Sequence, residues 1–189
     1  MGDPVQRRGP LDGYGAVFAG LSAHGLRVDV APTVAQINLR GTFNQVAAAV
    51  SATFDGAGLA QPTNAATHCG SLWTFCLGPD EWLLVATADH ADGADKLAAH
   101  LAGRHASVVD VSANRVTLDI GGPNAAALFS SLCSLDLADL TSDRCAQTML
   151  AKAQVLVHTV GDGATFRVFV RMSFARYLAD AIVDAAAFL

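Results

Sequence analysis

The chain has 189 residues, of which 52% are hydrophobic and 15% charged, and its formal net charge is −5. This length suits one domain or two small packed lobes that bury a real core. Its 12 Lys and Arg residues are scattered along an acidic chain, so nucleic-acid binding is disfavoured.

The composition also bears on the compartment and on partners. The apolar content predicts a surface that a partner covers, with an Ala-rich single domain as the alternative. No stretch approaches the roughly 18 consecutive apolar residues of a membrane span. Arg7-Arg8 before a glycine- and alanine-rich stretch imitates a secretory signal, but Asp12 and the glycines interrupt it. We therefore predict a cytoplasmic protein whose four cysteines, without a CxxC pair, are free and largely buried.

In the first half of the chain, the spacing of apolar residues predicts alternating strands and helices. Thr42 is the expected helix cap, and Gly78-Pro79-Asp80 is the expected hairpin turn. The predicted elements are a strand over 33–39, a helix over 42–54, a loop over 58–67, hairpin strands over 71–77 and 81–87, a helix over 92–101 and a strand over 106–111.

The second half repeats this order. Aligning Ile37 with Leu118 also places Leu97 on Leu178 and Leu101 on Ile182, which predicts an internal repeat. The predicted elements are a helix after Pro123, strands over 146–150, 155–160 and 166–170 with an Asp-Gly turn at 161–163, and a closing helix capped by Ser173. The order β-α-β-β-α-β, twice over, predicts an α+β fold of two packed split-βαβ (ferredoxin-like) lobes. We place these lobes at 31–112 and 113–189, forming one compact unit behind an extended N-terminal arm over 1–30.

The sequence carries no clear motif of catalysis, cofactor binding or metal binding. Gly56-Ala-Gly58 lacks the third glycine and the preceding strand of a dinucleotide site. His68-Cys69 is interpreted as a loop histidine beside a buried thiol, because a zinc site needs four ligands. Asp80-Glu81 and Asp110 are interpreted as turn and strand-exit residues, with a folate or amine contact as the alternative for Asp110. We predict no catalytic, cofactor-binding or metal-binding residue.

Three arginines are better candidates for a partner interface. Arg40, Arg115 and Arg171 each follow or open an apolar strand, where a guanidinium can pair a partner's carboxylate; an internal salt bridge is the alternative. The Pro and Gly content over 6–23 predicts no helix there, so this arm is expected to extend over a partner or to be a disordered tail. The predicted interface residues are Arg8, Pro10, Leu11, Arg40, Arg115 and Arg171.

Six ordered stretches carry a family resemblance that runs from about residue 10 to the end. They are Gln36-Ile-Asn-Leu-Arg-Gly41, Leu77-Gly-Pro-Asp-Glu-Trp-Leu-Leu84, Ser107-Val-Val-Asp-Val-Ser112, Leu118-Asp-Ile-Gly-Gly-Pro123, Cys145-Ala-Gln-Thr-Met-Leu-Ala151 and Ser173-Phe-Ala-Arg-Tyr-Leu178. Together they resemble the gamma subunits of heterotetrameric sarcosine oxidase, and the Gly-Pro-Asp-Glu-Trp turn is the most specific of them. None is a catalytic motif in itself.

A wider resemblance concerns the folate-binding aminomethyltransferase superfamily, which includes the glycine-cleavage T-protein. It is carried by 107–112, by Gly121-Gly-Pro-Asn-Ala125 and by Cys133-Ser-Leu-Asp-Leu137. Active members of that superfamily carry a glycine and an acidic pair in the stretch that follows, where this chain has Lys152-Ala-Gln-Val-Leu-Val-His158. The resemblance therefore implies the folate-binding fold without folate chemistry.

The family resemblance implies a complex of alpha, beta, gamma and delta subunits that oxidises the N-methyl group of sarcosine. It implies that FAD, FMN, NAD, tetrahydrofolate and zinc lie on the other subunits, and that this chain is structural and holds no cofactor. Two alternatives stay open. The chain could belong to a related oxidase of another N-methylated amine or secondary amino acid, or be a free-standing folate-binding aminomethyltransferase-like protein.

Overall fold

A computed structural model describes residues 9–32, 35–137, 140–161 and 163–189. The helices are α1 (Gly15–Gly20), α2 (Phe43–Thr53), α3 (Gly93–His100), α4 (Ala125–Leu132) and α5 (Ala175–Ala186), with 3-10 turns at Leu21–His24, Ala88–His90 and Met172–Phe174. The strands are β1 (Arg27–Val30), β2 (Ala35–Arg40), β3 (Ala66–Cys69), β4 (Leu72–Gly78), β5 (Glu81–Ala86), β6 (Ser107–Asp110), β7 (Arg115–Gly121), β8 (Cys145–Leu150), β9 (Ala153–Val160) and β10 (Thr165–Arg171). None of the described helices is both long and apolar enough to cross a bilayer.

The first lobe is a five-stranded antiparallel sheet in the order β3-β4-β5-β2-β6. Alternation along β2 sends Ile37 and Leu39 to the side covered by α2 and α3, where they pack with Val50 and Leu97. Trp82 is fully buried in the same cluster and donates its indole N–H to the carbonyl of Ala60 over 2.9 Å. The apolar face of each helix therefore meets one face of the sheet.

The second lobe repeats this arrangement in the order β8-β9-β10-β7-β1. Position by position, β7, α4, β8, β9, β10 and α5 correspond to β2, α2, β3, β4, β5 and α3. Leu178 and Ile182 of α5 are buried, as are Leu97 of α3 and Leu101 at its C-cap. The predicted α+β fold of two ferredoxin-like lobes is confirmed, with one additional strand per sheet.

The N-terminal segment corrects the prediction of an extended arm. Described residues from 9 to 30 form α1, a 3-10 turn and β1, and β1 pairs with β7 along Arg27↔Gly121 to Val30↔Leu118. It takes the place that β6 holds in the first lobe, so the closing strand of the second lobe comes from the start of the chain. Leu11, Phe18 and Leu21 are buried in that lobe's core, and this burial stabilises a short helix of poor intrinsic propensity.

Two glycines meet where β1 joins the second lobe. A Cβ built on Gly122 would lie 2.5 Å from the carbonyl oxygen of Gly25, and the φ of Gly122 is +105°. Both the close backbone approach and the left-handed conformation require glycine at this position. Asn124 strengthens the same junction by donating its side-chain amide to the carbonyl of His24 over 2.9 Å.

Several local predictions differ from the structure in detail. The predicted loop over 58–67 ends in an unpredicted strand, β3, which hydrogen-bonds to β4 at the sheet edge. Thr42 precedes α2 as expected, but its side chain makes no capping hydrogen bond. The prediction that Ser173 caps the closing helix is wrong: Ser173 lies in the 3-10 turn Met172–Phe174, and Phe174 is the N-cap of α5. The four thiols are free, but Cys69 is exposed and Cys133 only half-buried. The predicted turn at 161–163 includes residue 162, which lies outside the described residues.

Candidate functional site

The candidate site lies between the lobes, where the two sheets face each other on the sides away from their helices. Alternate residues of β4 and β5, including Phe75 and Leu83, meet Leu156 and Phe169 of β9 and β10 in one buried cluster. Phe75 and Phe169 are in edge contact with ring centroids 5.6 Å apart. This apolar centre holds the lobes together. Polar side chains on the same two sheet faces lie around it.

A histidine is buried at the margin of this centre. The ring of His158 lies 4.3 Å from that of Trp73 and 5.2 Å from that of Phe75, and the residue is 1% exposed. Neither ring nitrogen makes a hydrogen bond of good geometry with a described residue. Burial lowers the pKa of His158 to about 4, and the backbone of Arg144 opposes part of that shift. His158 is therefore neutral at pH 7.

An ion pair flanks the histidine. Arg167 donates from Nε to Asp119 Oδ1 over 2.8 Å and from Nη2 to Asp119 Oδ2 over 2.7 Å. This bidentate bond raises the pKa of Arg167, while partial burial opposes the shift. Arg167 also lines a cavity of about 180 Å³ between the lobes together with His68 and Trp73. Arg167 therefore belongs both to this ion pair and to the wall of the cavity between the lobes.

Removing the carboxylate from this pair is expected to weaken the fold. Asp119→Asn should lower the free energy of unfolding by about 1–2 kcal/mol, because the partly buried guanidinium loses its counter-charge but stays partly hydrated. Asp29→Asn is the matched control, because Asp29 lies directly opposite Asp119 but pairs with Arg27 at an exposed site. Urea unfolding of both variants compares the two losses, and an equal loss would contradict the special role of Asp119.

A larger cavity of about 720 Å³ opens beside β1 and β7. Apolar side chains of the second lobe form part of its wall, including Leu11, Phe18 and Val28. Gln36 at the start of β2 and Arg115 at the start of β7 also line it, so both lobes contribute. Its volume lies in the range of small-molecule sites.

The predicted interface residues are distributed unevenly around this cavity. Pro10, Leu11 and Arg115 line it, whereas Arg171 faces Arg115 across the β7–β10 pair. Leu11 is 6% exposed, so its assignment to a partner surface is wrong: it packs into the core of its own chain. Pro10 is half-buried, and its carbonyl accepts a hydrogen bond from Arg176 Nε over 2.8 Å.

Arg40 is the last residue of β2, an interior strand of the first sheet, and Arg8 lies outside the described residues. Arg40 has the internal ion-pair partners that the alternative interpretation expected, Asp80 at 3.8 Å and Glu81 at 3.6 Å. These pairs are largely exposed and contribute little to stability. An interface role for Arg40, Arg115 and Arg171 stays a prediction.

The acidic residues of the motifs have structural roles, as expected. Glu81 accepts a hydrogen bond from Asn38 Nδ2 over 2.8 Å across the β2–β5 pair. Asp110 accepts from the backbone N–H of Ser112 over 2.8 Å at the exit of β6. The hydroxyl of Ser112 in turn accepts from the backbone N–H of Gln36 over 2.9 Å.

The remaining candidates for chemistry are separated in space. His68 lies on β3, not in the loop that we predicted, and stacks on Trp73 with ring centroids 4.5 Å apart. Across the described ranges, no three His, Cys, Asp or Glu side chains come together in a group that could hold a metal ion.

Two residues of this site, Gln36 and His158, were not singled out from the sequence. Each lies in a strand that contains buried apolar residues and faces the side opposite to its buried apolar neighbour, Ile37 or Val157, and this alternation was the available signal. The missing information was that both faces of each sheet are covered, one by helices and the other by the second sheet. Gln36 and His158, which face away from the helices, are therefore buried and not exposed.

Comparison with known proteins identifies the family. The family model for the sarcosine oxidase gamma subunit matches residues 40–188. Sarcosine oxidase subunit gamma from Corynebacterium sp. strain U-96 is 31% identical over 95% of this chain and 89% of its own, and that from Arthrobacter sp. is 32% identical over 79% and 76%.

Solved structures agree with this match. A chain of heterotetrameric sarcosine oxidase from Corynebacterium sp. U-96, in complex with pyrrole 2-carboxylate, aligns with a TM-score of 0.84 at 28% identity and covers 96% of this chain and 95% of that one. The glycine-cleavage aminomethyltransferase T from Bartonella henselae aligns with a TM-score of 0.62 at 19% identity, over 87% of this chain and 48% of that one, which shows a shared fold. The chain belongs to the sarcosine oxidase gamma subunit family.

Proposed function

We propose that this chain is a non-catalytic structural gamma subunit of a cytoplasmic, heterotetrameric flavoprotein sarcosine oxidase, in which it joins alpha, beta and delta subunits. The observation that carries the proposal is the nearly full-length alignment, at a TM-score of 0.84, with a chain of such a heterotetramer. The proposed reaction of the whole complex is the oxidative demethylation of sarcosine to glycine, with hydrogen peroxide and either 5,10-methylenetetrahydrofolate or formaldehyde as the other products.

The residues on β9 support a scaffold role for this chain. Where the resemblance to aminomethyltransferases calls for an acidic pair, the inward positions of the strand carry Gln154, Leu156 and His158. Leu156 belongs to the cluster that joins the lobes, and the ring of His158 packs on Trp73. Leu156 and His158 pack between the lobes, Gln154 is exposed, and none of the three supplies a carboxylate. The proposal accordingly places FAD, FMN, NAD, tetrahydrofolate and zinc on the other subunits.

Exposed apolar side chains support a role in assembly. Phe174 and Tyr177 are 43% and 40% exposed, and their ring centroids lie 6.4 Å apart. Phe188, beyond the end of α5, is 90% exposed. Aromatic side chains are enriched at interfaces because they bury a large area at a small entropy cost.

Co-expression with the other three subunits tests the proposal. We expect a yellow complex containing one copy of this chain per assembly by size-exclusion chromatography with light scattering. The chain expressed alone should not bind tetrahydrofolate. Val17→Ala, at an exposed position of α1, should assemble normally, whereas Phe18→Ala should reduce recovery because the second lobe loses core packing. A colourless monomer that binds tetrahydrofolate and ignores the other subunits would overturn the proposal in favour of a free-standing folate protein.

A further inference from the structure

Two residues that line the 720 Å³ cavity each hold a buried polar atom without a hydrogen-bond partner among the described residues. Gln36 is 2% exposed, and its Oε1 accepts no hydrogen bond from any described residue. Arg115 Nη1 is likewise buried and donates to none of them. Buried polar atoms without partners are rare in folded proteins and cost free energy, more so when they carry charge. Both residues line the same cavity.

Arg115 makes no ion pair with a described residue, although other charges lie around the cavity. Arg27 Nε pairs with Asp29 at 3.2 Å, and Asp12 accepts a hydrogen bond from the N–H of Gly9 over 3.0 Å. Arg115 instead faces a second cation, Arg171, across the β7–β10 pair. Burial and then the charge of Arg171 lower the pKa of Arg115, while Glu81 acts in the opposite direction. An anion in the cavity would offset the charge of Arg115.

The cavity has the size and the chemical mixture of a small-molecule site. Its volume of about 720 Å³ falls between the roughly 300 and 1,000 Å³ of typical sites. Leu26 and Val28 add apolar wall beside the polar pair. Arg115 offers a charged donor and Gln36 an acceptor, so a complementary molecule carries a carboxylate and an N–H group.

We propose that this cavity, which we name the Arg115 cavity, binds a small amino-carboxylate. Arg115 Nη1 and Gln36 Oε1 are both closed to solvent in this conformation, so each side chain rotates towards the cavity on binding. The carboxylate then accepts from Arg115 Nη1, and the ammonium or amide group donates to Gln36 Oε1. Because the two residues belong to different lobes, the bound molecule bridges the lobes. This binding role is separate from assembly into an oxidase and goes beyond the scaffold function proposed above.

Three probes separate the two contacts. Glutamate carries carboxylate and ammonium groups, glutarate carries only carboxylates, and n-butylamine carries only an ammonium group. We expect calorimetric titration of the full chain to rank the affinities as glutamate above glutarate, with no binding of n-butylamine. Absence of glutamate binding at millimolar concentration, in a chain verified as folded by circular dichroism, would overturn the proposal.

Two variants and a matched control assign the site. Arg115→Met should weaken both glutamate and glutarate by roughly tenfold or more, because a hydrogen bond to a charged group is lost. Gln36→Met should weaken glutamate and leave glutarate unchanged. Arg27→Gln, at a residue that lines the same cavity but pairs with Asp29, should change neither affinity. Equal weakening by all three variants would place the ligand elsewhere and contradict the assignment.

A carboxylate of a partner subunit is the competing occupant. Titrating glutamate into the co-expressed complex distinguishes it: retained affinity supports the small-molecule site, whereas lost affinity together with dissociation of Arg115→Met from the complex overturns it. Failure of the complex to form would reject the proposed assembly role and leave the titrations on the full chain as the test of this site.

Discussion

Replacing Phe18 by alanine is expected to lower the free energy of unfolding by about 3–5 kcal/mol, the usual cost of truncating a buried phenylalanine. Phe18 lies on α1, is 5% exposed and packs into the core of the second lobe with Leu21 and Val28. Small domains are stable by only about 5–15 kcal/mol, so the variant should be close to unfolding at 37 °C. Urea unfolding followed by circular dichroism measures the loss.

Val17→Ala is the matched control for this prediction. Val17 is the preceding residue of the same short helix but is 43% exposed, and its truncation should change stability by no more than about 0.5 kcal/mol. A large loss for Phe18→Ala with a small loss for Val17→Ala would show that packing of the buried face, and not local helix propensity, stabilises α1. Equal, small losses in both variants would contradict the docking of the N-terminal segment and restore the extended-arm interpretation.

The failure to predict this segment has a physical cause. Only one of the four residues of β1 is buried, so its apolar pattern is too weak to indicate a strand. Its pairing partner, β7, lies far along the chain and is specified by tertiary packing, not by local sequence. By contrast, the hairpin of β4 and β5 was predictable because the Gly-Pro-Asp turn and two dense apolar runs are all local.

The candidate site was predictable only in part, for a related reason. Arg115 was singled out as an interface candidate because it opens an apolar strand, and the structure places it at the cavity. Gln36 belongs to a family motif, but its burial depends on how the second lobe packs against the first. Sequence periodicity indicates which residues share a face of a sheet, and it carries no information on what covers that face. The Arg115 cavity is therefore visible only once the two lobes are packed together.

Acidification is expected to destabilise the chain through His158. Because burial lowers the folded-state pKa to about 4 from an ordinary value of 6.5, the unfolded state binds more protons between these two pH values. The stabilisation from the neutral ring is therefore complete above about pH 6.5 and is lost as the pH falls towards 4. The loss integrates to roughly 3 kcal/mol across that window. Urea unfolding at several pH values should reveal it.

A substitution separates this effect from general acid denaturation. His158→Phe keeps an aromatic ring against Trp73 and Phe75 but cannot take up a proton, so stability should depend much less on pH between 4 and 6.5. His68→Phe is the control: His68 stacks on the same tryptophan but is exposed, so this variant should keep the full pH dependence. If His158→Phe lost stability with acid as steeply as the parent chain, the titrating group would lie elsewhere. Retained stability would show that a buried imidazole makes the contact between the lobes sensitive to acid.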